Sequence, residues 1–260
     1  EGISFEEVSA ADLSSDLSQF GSEGSPTWVD EIRLVEPNRL GILLEESTPE
    51  DAAKQAADTL RQRLAELADE AGDAAEPITL PRYPDSKDQS IWVVAENTHQ
   101  GLAAVTHEML GKARELTQYT KREVVAVLIA PQNEETVTEL ATQAADRVLV
   151  LDNSELGPVF GMAVGNSFAE AVSKESPYAI LFASTADGRD LASRLAARLK
   201  LGLTGDANDL EIDDEGRLVQ LKPALGGNVV APILSKTLPN LVTMRPGLLT
   251  PQEPEPAAKA

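Results

Sequence analysis

The stretch 178–202 constrains the fold of this chain more than any other. It contains the apolar run 179–183, AILFA, which lacks the alternation of a strand with one solvent-exposed face. A small polar turn follows, and then a helical pattern in which Leu191, Leu195 and Leu199 lie one turn apart. A buried strand, a turn and a helix make half of a βαβ unit. The turn is therefore predicted at the carboxyl edge of a parallel sheet, where open α/β folds bind ligands.

From residue 90 onward, strand and helix patterns alternate. Further strands are predicted at 91–95, 123–129 and 147–151, and further helices at 102–117, 134–145 and 159–172. Four short strand candidates then follow one another without a helix, at 209–212, 217–222, 228–234 and 241–244. This order predicts an α/β fold, with a mostly parallel sheet flanked by helices and a short antiparallel β tail.

The first 71 residues form an extended arm followed by a helix. We predict a short helix and two extended runs in the arm, at 5–17, 28–35 and 40–44. The long helix begins after Thr48, the predicted N-cap, with Pro49 at its first position, and continues to about Ala71. The apolar residues of the arm have no local core. We therefore expect them to be buried on a surface of this chain's own sheet domain or of another chain.

Proline-rich stretches divide the chain into regions. Residues 72–89 are predicted to be a linker, and the polar end at 249–260 is either a linker or a frayed terminus. Residues 1–71 are then the arm and its helix, and residues 90–248 are the α/β domain. The sequence begins with Glu1 instead of Met, which indicates a processed or excised piece of a longer protein.

Composition excludes several classes of function. The net charge is −21, from 43 acidic and 22 basic residues, and its field repels nucleic acid and anionic membranes. This acidity is typical of a salt-rich cell interior and is equally compatible with an ordinary acidic protein. The chain has no cysteine, which excludes disulfides and thiolate sites and favours a reducing compartment, so we expect it in the cytoplasm. No apolar run approaches the ~20 residues that span a bilayer.

The best candidate for a small-molecule site is the turn formed by Thr185, Gly188 and Arg189. Backbone N–H groups at the start of a helix, together with a guanidinium group, would hold a phosphate or a carboxylate. In the alternative interpretation, Asp187 caps the helix and Arg189 binds it or a neighbouring domain.

We predict no catalytic residue and no metal ligand. The chain has no G-x-G-x-x-G fingerprint after a strand and no phosphate-binding loop. His99 and His107 lack a third ligand and are expected to be surface residues. Carboxylates are frequent in so acidic a chain, so Asp206, Asp209 and Glu211 are expected to be solvated.

Several short segments occur in a characteristic order. They are IWVVAE (91–96), DGRDL (187–191), RLAARL (194–199), GLTGD (202–206), KPALGGN (222–228) and VTMRPG (242–247). Together they resemble the amino-terminal domain of the alpha subunit of electron-transfer flavoproteins, over roughly 90–248. The segments GSPT (24–27) and PEDAA (49–53) resemble the carboxyl-terminal arm of the beta subunit of the same flavoproteins. The two similarities imply a fused beta–alpha polypeptide of which this chain is the middle.

This resemblance implies the scaffold part of an electron carrier, which is not itself an enzyme. In the family, FAD sits in the carboxyl-terminal domain of the alpha subunit, and an AMP-binding beta domain would precede Glu1. Its partners would be the flavin-domain and beta-domain polypeptides, together with dehydrogenases as electron donors. No FAD ligand is carried over to this chain, and Arg189 and the segment 226–228 would be fold or interdomain features.

Two other functions remain open from the sequence. One is a stand-alone α/β nucleotide-binding protein that uses the Thr185–Arg189 turn. The other is an assembly module without a cofactor, in which the arm recruits a partner.

Overall fold

The structure is a computed structural model that describes residues 6–34, 48–70, 80–84, 89–98, 101–129, 134–152, 162–224 and 229–254. These residues fall into two compact units, one within Glu1–Val35 and Pro81–Ala260 and the other within Glu36–Leu80. The helices in chain order are α1 (Ala10–Leu13), α2 (Gly21–Gly24), α3 (Pro49–Glu70), α4 (Ala104–Thr120), α5 (Glu134–Thr142), α6 (Met162–Glu175) and α7 (Ala186–Leu199). The strands are β1 (Thr27–Val29), β2 (Arg33–Leu34), β3 (Ile91–Ala95), β4 (Asn97–Thr98), β5 (Gly101–Leu102), β6 (Val124–Leu128), β7 (Arg147–Val150), β8 (Ala179–Ala183), β9 (Leu203–Ala207), β10 (Asp209–Ile212), β11 (Leu218–Ala224), β12 (Val229–Ser235) and β13 (Asn240–Met244).

A six-stranded sheet forms the centre of the larger unit. Its order is β7-β6-β3-β8-β13-β9, and every neighbouring pair is parallel. Every residue of β3, β6, β8 and β13 is buried, because helices cover both faces of a parallel sheet. One face packs on a core that includes Met109 and Leu110 of α4, and the other on a core that includes Phe168 of α6 and Leu195 of α7. The predicted fold class is confirmed.

Two strands of this sheet differ from the sequence prediction. The predicted tail strand 241–244 lies, as part of β13, between β8 and β9 in the parallel sheet. No strand was predicted at β9, whose Gly205 and Asp206 both have low β propensity. β9 is held as a strand by its pairing with β13, which its own sequence does not predict.

The remaining candidates form an antiparallel sheet in the order β10-β11-β12-β1, in which β2 also pairs with β12. Thr27, Trp28 and Val29 of β1 lie opposite Ser235, Leu234 and Ile233. The arm therefore adds an edge strand to this chain's own sheet, which is one of the two surfaces that the sequence left open. The helix predicted at 5–17 is confined to α1, and the extended run at 40–44 lies outside the described residues.

The smaller unit contains α3. The backbone N–H of Asp51 donates to Thr48 Oγ1 at 3.2 Å, which confirms the predicted cap. Leu60 and Leu64 of this helix are exposed. None of the helices in the described ranges has both the length and the apolar character needed to cross a membrane.

Candidate functional site

The candidate site lies at the carboxyl edge of the parallel sheet, between β3 and β8. The chain continues from β3 to β6 on one side, whereas β8 pairs with β3 on the other. Open α/β sheets bind their ligands at such a switch point. Glu96 follows β3 here, Ser184 and Thr185 follow β8, and α7 begins at Ala186. The predicted turn therefore lies where strand order reverses.

Thr185 joins the two sides of the switch point. Its hydroxyl oxygen accepts a hydrogen bond from the N–H of Gly188 at 3.1 Å, and its hydroxyl donates to Glu96 Oε2 at 2.8 Å. Thr185 is thus the N-cap of α7, and the alternative in which Asp187 caps this helix is wrong. Burial raises the pKa of Glu96 and the charge of Asp187 raises it further, against the opposing effect of the bond from Thr185.

Gly188 allows the first turn of α7 to approach the end of β8. A Cβ atom at this position would lie 2.1 Å from the carbonyl oxygen of Ala183. That neighbour is backbone and cannot rotate away. The glycine of the predicted site therefore has a packing role, independent of any ligand.

Arg189 contacts Ser184 and Asp206. Its Nε donates to Ser184 Oγ at 3.0 Å, and a terminal nitrogen lies 3.5 Å from Asp206 Oδ1. The carboxylate of Asp206 also accepts from Arg245 and from the Ser184 hydroxyl. The Asp206 side chain is 29% exposed and ion-paired, so this carboxylate, which was expected to be solvated, is only partly so. We call Ser184, Arg189, Asp206 and Arg245 the Asp206 cluster.

Arg245 lowers the pKa of Asp206 to about 2 against the opposing effect of burial, with smaller lowering contributions from Ser184 and Arg189. A carboxyl group with a depressed folded-state pKa stabilises the fold above its unfolded value, near 3.9, and loses that contribution as the pH falls toward 2. We expect Asp206→Asn to remove this part of the acid sensitivity. The free energy of unfolding, measured between pH 5 and 2, should fall less steeply in the variant than in the unchanged chain. Parallel curves would contradict the assigned ion pairs.

The other residues singled out from the sequence lie elsewhere. His107 Nε2 is 3.2 Å from Glu139 Oε1 between α4 and α5, and its side chain is only 19% exposed, so it is not a surface residue as expected. Lys112 Nζ lies 2.8 Å from Asp209 Oδ1, an ion pair in which the ammonium group is the donor. His99 and residues 226–228 are outside the described residues. Across the described ranges, no group of three or more His, Cys, Asp or Glu could hold a metal ion.

Sequence reasoning missed Glu96, Ser184 and Arg245 as members of this edge. Glu96 and Ser184 directly follow strands that were predicted in the parallel sheet, whereas Arg245 follows the strand at 241–244, which was predicted in the antiparallel tail. Position along the chain therefore indicated this edge for Glu96 and Ser184 only. Parallel strands bring the residues after their carboxyl ends to one edge, whatever their separation in sequence. Asp206 gave no such signal, because no strand was predicted at β9.

Comparison with known proteins gives the family. A family model described as electron transfer flavoprotein domain matches residues 91–260. The chain belongs to the electron transfer flavoprotein domain family. It is similar to the electron transfer flavoprotein subunit alpha of Thermoanaerobacterium thermosaccharolyticum, with 39% identity over 166 residues that cover 64% of this chain and 50% of the relative. The corresponding subunit of Clostridium acetobutylicum is 36% identical over 162 residues, which cover 62% of this chain and 48% of that protein.

A third relative of this electron transfer flavoprotein chain is named lactate dehydrogenase (NAD(+),ferredoxin) subunit LctC, from Acetobacterium woodii. It is 36% identical over 166 residues, which cover 64% of this chain and 40% of the relative. The chain spans about half the length of the alpha subunits that it matches.

The switch point of this family member does not fit the phosphate groups of FAD or AMP. Glu96 and Asp187 bring negative charge to the crevice, and the charge of Arg189 is directed to Asp206. The Thr185 hydroxyl is already bonded to Glu96. A phosphate placed here would meet these two carboxylates, and Arg189 would have to leave Asp206 to offset their charge.

Proposed function

We propose that this chain is the scaffold portion of an electron-transfer flavoprotein of the alpha type. In this proposal the complete protein carries electrons from dehydrogenases to a downstream acceptor and is a carrier instead of an enzyme. FAD is held by polypeptide outside this chain. The family membership and the alpha-subunit relatives, about twice as long as the matched region, support this assignment.

The observation that carries the proposal is that Thr185 and Arg189, at the switch point, already bind side chains of this chain. The hydrogen bond from Thr185 to Glu96 spans the switch point, where open α/β sheets bind their ligands. The Thr185–Arg189 turn is then a feature of the fold or of a contact between domains. The alternative of a stand-alone nucleotide-binding protein would require Arg189 to leave Asp206.

Calorimetry tests this proposal on the chain as it is. Titration with AMP, ATP and FAD should give no binding heat, whereas a longer polypeptide that continues to the full length of the alpha-type relatives should purify with flavin absorbance. Stoichiometric binding of FAD to the present chain would contradict the proposal. If a nucleotide does bind, Arg189→Ala separates the possible sites, because loss of the heat would assign it to the Thr185–Arg189 turn. A full-length protein without flavin would instead favour the assembly module.

We further propose that residues 1–71 correspond to the carboxyl-terminal arm of a beta subunit, fused to an alpha-type domain at 90–248 through a linker. The way β1 joins the sheet supports this, since it adds to the edge of β12 as a separate peptide would in β-strand addition. The N–H of Lys236 donates to Pro26 O at 2.8 Å, and the N–H of Asp30 donates to Pro232 O at 2.9 Å. An AMP-binding beta domain and the flavin domain are the proposed partners, in the cytoplasm.

Gly202 provides a test of how the arm binds. A Cβ atom on Gly202 would lie 2.7 Å from Thr27 Cγ2 and 2.8 Å from Pro26 O, so the arm must shift to admit it. We expect Gly202→Ala to speed hydrogen exchange at the β1 amides by at least about tenfold while the parallel sheet stays protected. Gly205→Ala is the matched control, because its Cβ would meet only Lys222 Nζ, at 3.9 Å. Equal protection of β1 in both variants would contradict the docking described here.

A further inference from the structure

The chain does not leave the α/β domain at the end of β13. Arg245 contacts Asp206, and the N–H of Gly247 lies 3.1 and 2.9 Å from the two carboxylate oxygens of Glu108 on α4. The N–H of Leu249 lies 3.4 Å from Glu108 Oε2. Glu108 is only 8% exposed, so these backbone groups solvate a buried carboxylate.

The next residues lie on α4 one turn further along. A Cβ atom on Gly111 would be 2.6 Å from Thr250 O, 3.1 Å from Gln252 N and 3.2 Å from Pro251 Cα. The backbone therefore passes directly over this glycine. Leu249 packs against the core on the α4 side of the sheet.

We propose that residues 245–252, the exit strap, fix the place and direction in which the polypeptide leaves this domain. The strap is attached at three points that belong to β9 and α4: Asp206, Glu108 and Gly111. In this proposal the strap stays on the domain, so any polypeptide that continues from it would pivot at residues after Gln252. The inference rests on the proposed function in one respect, since it identifies the element that would position a flavin domain continuing from this end.

Glu108 makes the attachment specific because its carboxylate is buried and accepts from these N–H groups. If the strap lifted, the carboxylate would lose the N–H donors of Gly247 and Leu249. The positive φ of Gly247, 83°, gives the turn that presents its N–H to the carboxylate. The region predicted as a linker or frayed end, 249–260, thus begins with residues that lie against a helix.

Backbone amide dynamics of this chain test the inference. In the unchanged protein, nitrogen-15 relaxation should show the strap amides through Gln252 to be as rigid as those of the parallel sheet. Glu108→Ala and Gly111→Ala should each speed hydrogen exchange at Gly247 and Leu249 by at least about tenfold, with the β3 amides still protected. The two variants remove the attachment by different means, so a folding defect in one leaves the other informative.

Gly165→Ala is the matched control for Gly111→Ala. It also places an alanine in a helix, but its Cβ would lie 4.0 Å from the nearest atoms, in Arg194. In the Gly165→Ala variant, the strap amides should exchange hydrogen at the same rate as in the unchanged protein. Unaltered protection of Gly247 in both strap variants, or mobility that already begins at the Gly247 amide, would overturn the inference. Neither result would bear on whether a longer protein holds flavin, which absorbance reports separately.

Discussion

Asp146→Asn is expected to lower the free energy of unfolding by about 3–5 kcal/mol, because it leaves a buried guanidinium without its counter-charge. Arg114 lies 2.7 Å from Asp146 Oδ1, and their side chains are 2% and 0% exposed. The geometry at Asp146 Oδ1 is not that of a hydrogen bond, so the attraction between the guanidinium and the carboxylate is mainly ionic. Asp146 Oδ2 also accepts from the N–H of Val124, which ties the pair to β6. Urea unfolding measured by circular dichroism gives the value.

Asp190→Asn is the matched control for this substitution. Asp190 pairs with Arg194 at 2.6 Å, but both side chains are 44% exposed. Exposed ion pairs contribute about 0–1 kcal/mol, so this variant should unfold close to the unchanged chain. Similar losses in the two variants would mean that the Arg114–Asp146 pair is not the buried interaction described here.

Gly188→Ala is expected to destabilise the chain by about 3 kcal/mol or more, since its methyl group would overlap the Ala183 carbonyl 2.1 Å away. For a protein of this size, that corresponds to a Tm lower by roughly 6–12 °C. Relief of the overlap requires α7 to move away from β8, which would also disturb the bond between Thr185 and Glu96. Differential scanning calorimetry measures the change.

Gly165→Ala again serves as the control, now for stability. It places the same methyl group in α6 without a close contact, and alanine favours a helix over glycine by up to about 1 kcal/mol. The control should therefore unfold at the same or a higher temperature. A Gly188→Ala chain that is as stable as this control would show that α7 does not begin in close contact with β8.

The residues of the predicted site at the carboxyl edge of the sheet have structural roles. Gly188 is required by close packing, and Thr185 caps the helix that begins there. Arg189, the cation that an anion site would need, contacts Ser184 and Asp206 of the Asp206 cluster. Each residue of the predicted site thus has a structural partner, which supports a scaffold function over nucleotide binding.

The sequence correctly predicted the strands that consist of consecutive apolar residues. The apolar runs of β3, β6 and β8 indicated strands covered on both faces, and all three are completely buried. The N-cap at Thr48 followed from local chemistry in the same way. Helix ends were less well placed, as for α4, because fraying and tertiary contacts shift them by a few residues.

By itself, then, the sequence determined the parallel α/β architecture, the turn at the carboxyl edge and the resemblance to the flavoprotein family. Only the tertiary structure decided that β13 inserts beside β8, that β1 pairs with β12, and that Arg189 faces Asp206. Periodicity and capping act between residues a few positions apart, so a sequence displays them directly. Strand order and ion-pair partners depend on which distant segments meet when the core closes, and no local pattern records that choice.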